Sequence, residues 1–365
     1  MPLTVQTMIA AALLGLASNA FAADPLVIEL RDRLASTDVA AVNSYLSANW
    51  ETKMARLGRL VRRCDRDALA LSVNLLNTIN LEALEAHVPT GVTTIENQPY
   101  QPGNKDGYLD VFYPDGTSKP LPTIVWVHGG GWVSGDKDDV DNYLKILAAR
   151  GYTTVGVDYT IAPEAKYPGP ILQLNNALGY LQQHADRLHI DPERIVLAGD
   201  SAGSQIVAQM ANIITSQTYA AELDVRPTLA ADKLAGVLLN CGAYDLALPD
   251  YSGPFGSFLH TVLWAYSGTK DFLHDPKLRH ASVVNYVTKD FPPAFITAGN
   301  VDPLLPQSIE FARKLQRLGV PTSTLFYPKE YTPELNHEYQ FDLDTDGGKR
   351  ALSQMIEFLK TYTSQ

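Results

Sequence analysis

Cysteine is scarce: Cys64 and Cys241 are the only two in 365 residues. They lie too far apart for a C-x-x-C redox pair or a zinc ligand set, and two thiols make no disulfide framework. Positive charge is also short, with 29 Lys and Arg against 40 Asp and Glu and a formal net charge of −11. An acidic surface has little to offer phosphates, which disfavours nucleic acid and anionic membranes as partners. Repeats, low-complexity tracts and blocks of like charge are absent. What remains, 45% hydrophobic and 19% charged, is the composition of an ordinary globular protein, long enough for one large domain with an accessory unit.

The N-terminus has its own pattern. Residues 8–17 form an apolar run, followed by Ser18, Asn19, Ala20, Phe21 and Ala22. The run is too short to cross a bilayer, and Ala20 and Ala22 supply the small residues of a signal-peptidase site. We therefore expect a signal peptide over 1–22, export to the periplasm or medium, and no stable membrane insertion. The first eight residues hold no Lys or Arg, so an amphipathic leader or a misassigned start stays open beside that reading. Export would put Cys64 and Cys241 in an oxidising compartment. Cys64 lies among charges and Cys241 ends an apolar run, so a disulfide between them is not expected and a buried or half-buried Cys241 is.

Residues 27–88 contain no proline and carry apolar residues at helical spacing, which predicts an N-terminal helical cap region over 23–92. From about Thr93 the pattern changes to short apolar runs alternating with amphipathic stretches. Strands are expected at 108–112, 123–128, 153–159, 194–198, 234–239, 294–297 and 323–327, and helices at 140–150, 171–185, 204–216, 307–318 and 350–361. This alternation predicts an α/β domain over 93–365, a mostly parallel sheet with helices on both faces and a site beyond the carboxyl ends of the strands. The interval 244–290 breaks the alternation and is expected to be a cap insertion.

Two glycine-rich motifs follow such strands. Gly199, Asp200, Ser201, Ala202 and Gly203 have the pattern of a nucleophile elbow, a strand-to-helix turn so tight that side chains at the two glycines would collide with backbone while Ser201 is held exposed. Upstream, His128, Gly129, Gly130, Gly131 and Trp132 offer backbone amides that approach a substrate oxygen closely. The N–H groups of Gly130, Gly131 and Ala202 are the expected oxyanion-hole donors.

With these two motifs and the segment Asp158, Tyr159, Thr160, Ile161, Ala162, Pro163 and Glu164, the chain resembles the α/β-hydrolase superfamily, in particular the hormone-sensitive-lipase-like bacterial esterases, over roughly residues 100 to 360. The resemblance implies the chain order Ser, acid, His. Asp302 follows the strand at 294–297 and sits in an acid turn, Asp302-Pro303-Leu304, like that of the family. Only His337, among eight histidines, follows the last strand. Asp290 precedes its strand, Asp200 adjoins Ser201, and Glu330 and Glu334 lie on the loop of His337 itself. The remaining histidines are read as structural (His128), as solvated or satisfied (His87, His184, His189), or as cap surface (His260, His274, His280). Tyr159, Pro163 and Glu164 are read as scaffold, Glu164 bonding nearby backbone, and Trp132 as packing beside the oxyanion segment.

The family's histidine is usually followed by Gly and an aromatic, whereas His337 is followed by Glu338 and Tyr339. Two effects of Glu338 are open: raising the imidazole pKa, or closing part of the pocket. The resemblance implies hydrolysis of small to medium carboxylic esters through an acyl-enzyme, with Ser201, His337 and Asp302 as triad and no metal or organic cofactor. An amide hydrolase of arylformamidase type and a non-catalytic binding protein on the same fold are the alternatives.

Overall fold

The computed structural model describes residues 82–249, 251 and 254–364. The expected signal peptide, nearly all of the N-terminal helical region and Cys64 lie outside the described residues. Among the described residues eight strands form one sheet in the order β1-β2-β4-β3-β5-β6-β7-β8. They are β1 (Val92–Pro99), β2 (Tyr108–Pro114), β3 (Leu121–Val127), β4 (Thr153–Val157), β5 (Ile190–Asp200), β6 (Leu234–Asn240), β7 (Ala294–Thr297) and β8 (Thr322–Leu325). β2 pairs antiparallel with β1 and with β4, and every pairing from β4 through β8 is parallel. Among the described residues no helix is long and apolar enough to cross a membrane.

Side chains alternate across the central strands, so each strand feeds two cores. Val125, Val127, Ile195, Leu197, Val237, Leu239 and Ile296 pack on one face with α2 (Gly169–Gln183), α3 (Ser201–Thr215) and α6 (Leu305–Arg317). Ile124, Trp126, Val196, Ala198, Leu238 and Phe295 pack on the other with α1 (Asp141–Ala148) and α7 (Asp346–Thr363). Both faces are therefore covered, as parallel strands require.

The chain runs from β3 outward to β4 and then back across β3 to β5. Direction thus reverses between β3 and β5, which opens a crevice at their carboxyl ends. His128 to Gly131 leave the end of β3, and Ser201 leaves the end of β5. Both glycine motifs are placed by topology at this one point.

The structure departs from the sequence reading in four places. β1 was not expected: it is an edge strand carrying Glu96, Asn97 and Gln98, half exposed, and lacks a clean alternation. The helix after β5 starts at Ser201, not 204, because the turn between Gly199 and Gly203 runs directly into it. A short α4 (Gln217–Glu222) follows it. Within 244–290 lies α5 (Pro254–Ser267); its sequence is apolar around much of its circumference, so it has no polar stripe for a helical pattern to register against.

Candidate active site

The elbow is locked by contacts that only glycine permits. A Cβ at Gly199 would lie 2.7 Å from the carbonyl carbon of Gly203, and one at Gly203 would strike the carbonyl oxygens of Val127 and His128. Ser201 consequently sits in the left-handed region at φ +49°, a conformation costly for a residue with a Cβ and one that persists where surrounding structure enforces it. Ser204 Oγ and Asn240 Nδ2 both donate to Gly199 O, at 2.7 and 2.8 Å. Asn240, which the sequence reading did not single out, thus ties the end of β6 to the elbow.

His337 bridges the two other groups. With the proton on Nδ1, it donates to Asp302 Oδ2 at 3.0 Å, and Nε2 accepts from Ser201 Oγ at 2.9 Å. Asp302 is buried, and its second oxygen accepts from Leu304 N–H at 2.7 Å. Burial alone would lower the His337 pKa; the Asp302 carboxylate overrides it and holds the imidazole well above its ordinary value.

Asn300 ties the turn of Asp302 to the loop of His337. Its Oδ1 accepts from Leu335 N–H at 2.8 Å, while Nδ2 donates to the carbonyls of Lys329 and Tyr331 at 3.2 and 3.1 Å. A Cβ at Gly299 would strike Leu335 O. The long segment before His337 is therefore packed directly on the turn that carries Asp302. Its signal in the sequence was the Gly299-Asn300 pair preceding the acid.

The rival acids are elsewhere. Asp290 is exposed and pairs with Lys289 at 3.1 Å, before β7. Glu330 and Glu334 are exposed. Asp200 accepts from Trp126 Nε1 at 2.7 Å, away from His337 Nδ1.

The glycine segment after β3 is a tight, hydrogen-bonded turn. Gly130 O accepts from the N–H groups of Val133 and Ser134 and from Ser134 Oγ, at 3.1, 3.0 and 3.0 Å. Gly130 and Gly131 lie at φ +98° and +59°, where glycine alone is unstrained. Among the described residues no backbone carbonyl takes the N–H of Gly130, Gly131 or Ala202. His128 is buried, donates from Nδ1 to Gly129 O at 2.9 Å and stacks on Tyr159 at 4.2 Å. Tyr159 Oη donates to the His128 and Gly129 carbonyls, so both are scaffold, as read. Trp132 stacks on Tyr266 of α5 at 5.0 Å, and a Cβ at Gly131 would lie 3.7 Å from Val262 Cγ1 of the same helix. The 244–290 segment therefore packs against the oxyanion loop.

One expectation is corrected. His280 is not on the cap surface but buried, with Nε2 3.0 Å from Glu222 Oε2; α4, absent from the sequence reading, supplies that partner. Glu164 also ion-pairs with Lys105 at 2.9 Å.

Among the described residues two clusters bring possible metal ligands together. Cys241, Asp302 and His337 place one ligand atom each within 4.8 Å of one another, but Nδ1 is engaged by Asp302, and burial pushes the Cys241 thiol up to about 12, leaving it a neutral S–H. In the other, Asp110, Asp138 and Asp141, the cation is Lys137, whose Nζ donates to Asp110 Oδ2 at 2.8 Å and to Asp138 Oδ1.

A mostly parallel eight-stranded sheet with helices on both faces and two glycine-rich turns at its switch point is the α/β-hydrolase fold. A family model described as BD-FAE matches residues 109–315; that is more than half of the chain, and the chain belongs to that family. The acetyl esterase of Salmonella choleraesuis is 29% identical over 227 residues, covering 60% of this chain and 66% of that protein, so the match spans a little under two thirds of that relative. Among solved structures, esterase B of Lactobacillus Rhamnosis superposes with a TM-score of 0.69 at 24% identity, covering 82% of this chain and 97% of the other. A hyperthermophilic esterase from the archaeon Pyrobaculum calidifontis gives 0.65 at 22% identity, covering 86% and 98%. At such identities these structures share the fold.

Proposed function

We propose that the protein is a serine hydrolase of carboxylic esters acting through an acyl-enzyme. The observation that carries this reading is the continuous chain of hydrogen bonds from Ser201 Oγ through His337 to Asp302, at 2.9 and 3.0 Å, beside unpaired backbone amides. His337 takes the proton of Ser201 as Oγ attacks the ester carbonyl, and Asp302 orients the imidazole and stabilises its charge. The N–H groups of Gly130, Gly131 and Ala202 hold the oxygen that becomes negative. His337 then protonates the departing alcohol, and water attacks the acyl-enzyme by the same path in reverse. That the relatives are acetyl esterases supports a short acyl group here, and so does the packing of Tyr266 of α5 against Trp132 beside the site.

Initial rates on p-nitrophenyl esters of increasing acyl length, with Ser201→Ala as the blank, test this. Rates highest on short to medium acyl chains and falling on long ones are expected. Ester hydrolysis no faster than the Ser201→Ala blank at every length would contradict the reading.

A further inference from the structure

Two carboxyl groups that the triad does not use lie buried against it: Asp200, preceding the nucleophile, and Glu338, following the base. Their carboxyl oxygens converge on one point beside Gly129. Two buried carboxylates offer only acceptors and repel each other, so holding their oxygens together calls for a proton between them. Both crowd Gly129 of the oxyanion segment, where a Cβ would meet Asp200 Oδ2, Glu338 Oε1 at 2.9 Å and Ser201 Cβ at 3.2 Å. Glu338 is held at φ +59°, a left-handed conformation uncommon for glutamate. Glu338 Oε1 is enclosed and finds no donor N–H or O–H from another residue, and it lies 3.8 Å from His337 Nε2.

We propose that Asp200 and Glu338 form a single-proton carboxyl pair, with the proton on Glu338, that positions His337 against Ser201 and keeps Glu338 out of the proton shuttle. The placement of the proton follows from the other partners. Asp200 Oδ1 receives the Trp126 indole N–H at 2.7 Å, a donor that favours its anion, whereas Glu338 receives none. Glu338 O–H therefore donates to Asp200. The bond joins the loop of His337 to the elbow and to the strand end that carries the oxyanion glycines.

The pair has its own acid–base behaviour. Burial raises both carboxyl groups above the ordinary carboxylate range, opposed at Asp200 by the Trp126 hydrogen bond and reinforced at Glu338 by the Asp200 charge. The other titratable groups facing it are His337, Asp302 and Cys241 around Glu338, and His128, Tyr159, Asp139 and His337 around Asp200. When Glu338 ionises, its oxygen beside His337 Nε2 attracts the imidazolium proton that the leaving group needs, and repulsion from Asp200 loosens the loop. Turnover should therefore fall on the alkaline side.

This inference rests on the triad reading for its effect on rate, but the shared proton is observable without turnover. Infrared difference spectra at neutral pH, wild type minus Glu338→Gln, should show a protonated-carboxyl C=O band, and the same band should persist in a Ser201→Ala background even though that variant is inactive. Glu338→Gln donates the same bond but cannot ionise; its neutral-pH kcat should stay within about fivefold of wild type while the alkaline fall disappears. Glu338→Ala should lose roughly 10- to 100-fold in kcat with little change in KM. Absence of the carboxyl band, or an unchanged alkaline limb in Glu338→Gln, would overturn the proposal. Should Glu338→Ala fail to fold, the band and the Glu338→Gln profile still decide it.

Discussion

Ser201→Ala and His337→Ala are each expected to reduce kcat on the order of 10⁴-fold or more while leaving the fold intact. Among the described residues the Ser201 hydroxyl bonds to His337 alone, so it holds nothing together that folding requires. Alanine leaves the φ of +49° no more strained than serine does, because the cost comes from Cβ, which both residues have. His337 is half-buried at the rim of the sheet, and its loss removes the base from one side of the site and the partner of Asp302 from the other. Because the two residues act in one step, the double variant should be about as slow as either single one. Steady-state kinetics with a thermal melt of each variant checks this. More than a tenth of wild-type kcat in either folded variant would exclude the assigned roles.

Asp302→Asn should lower kcat by roughly 10⁴-fold with KM little changed. An amide at this position can donate to Nδ1, which favours the tautomer with its proton on the nitrogen facing Ser201 and so removes the base. It also leaves the imidazolium without a counter-charge, whereas Asp302 now holds the imidazole pKa well above its ordinary value. In Asp302→Asn the acid limb of kcat/KM should accordingly move to lower pH, since the ring no longer has that carboxylate to favour its protonated form. Asp290→Asn is the control: exposed beside Lys289 at the opposite end of β7, it should leave kcat unchanged. Reversed penalties would mean that β7 carries its active-site end at Ala294 and not at Thr297.

The parts of the molecule legible in the sequence are those where local chemistry and global fold require the same residues. Gly199 and Gly203 are needed by the turn itself, and the apolar runs of β3, β5 and β6 are needed by burial on both faces, so motif and periodicity identify them together. β1 was missed because an edge strand exposes much of its surface and needs no alternation. α5 was missed because its apolar surface carries no helical stripe. Asn240, Asn300 and the Asp200–Glu338 contact were illegible for another reason. Each acts across a long sequence separation, and a polar residue in a loop gives no sign of which backbone it will meet. Glu338 was visible only as a departure from the pattern around His337; the two open effects assigned to it did not include a partner in Asp200, since nothing local to either residue announces that contact.

The most direct measurement is the site of covalent attack. After treatment with an activated organophosphonate, a phosphorus electrophile that a serine nucleophile attacks irreversibly, intact and peptide mass spectrometry should find one adduct per chain. It should lie on Ser201 and be absent from Ser201→Ala. A second-order loss of activity matching the adduct's growth completes the expected result. Full inactivation with the adduct on any other residue, or an unmodified Ser201 in inactivated enzyme, would contradict the account.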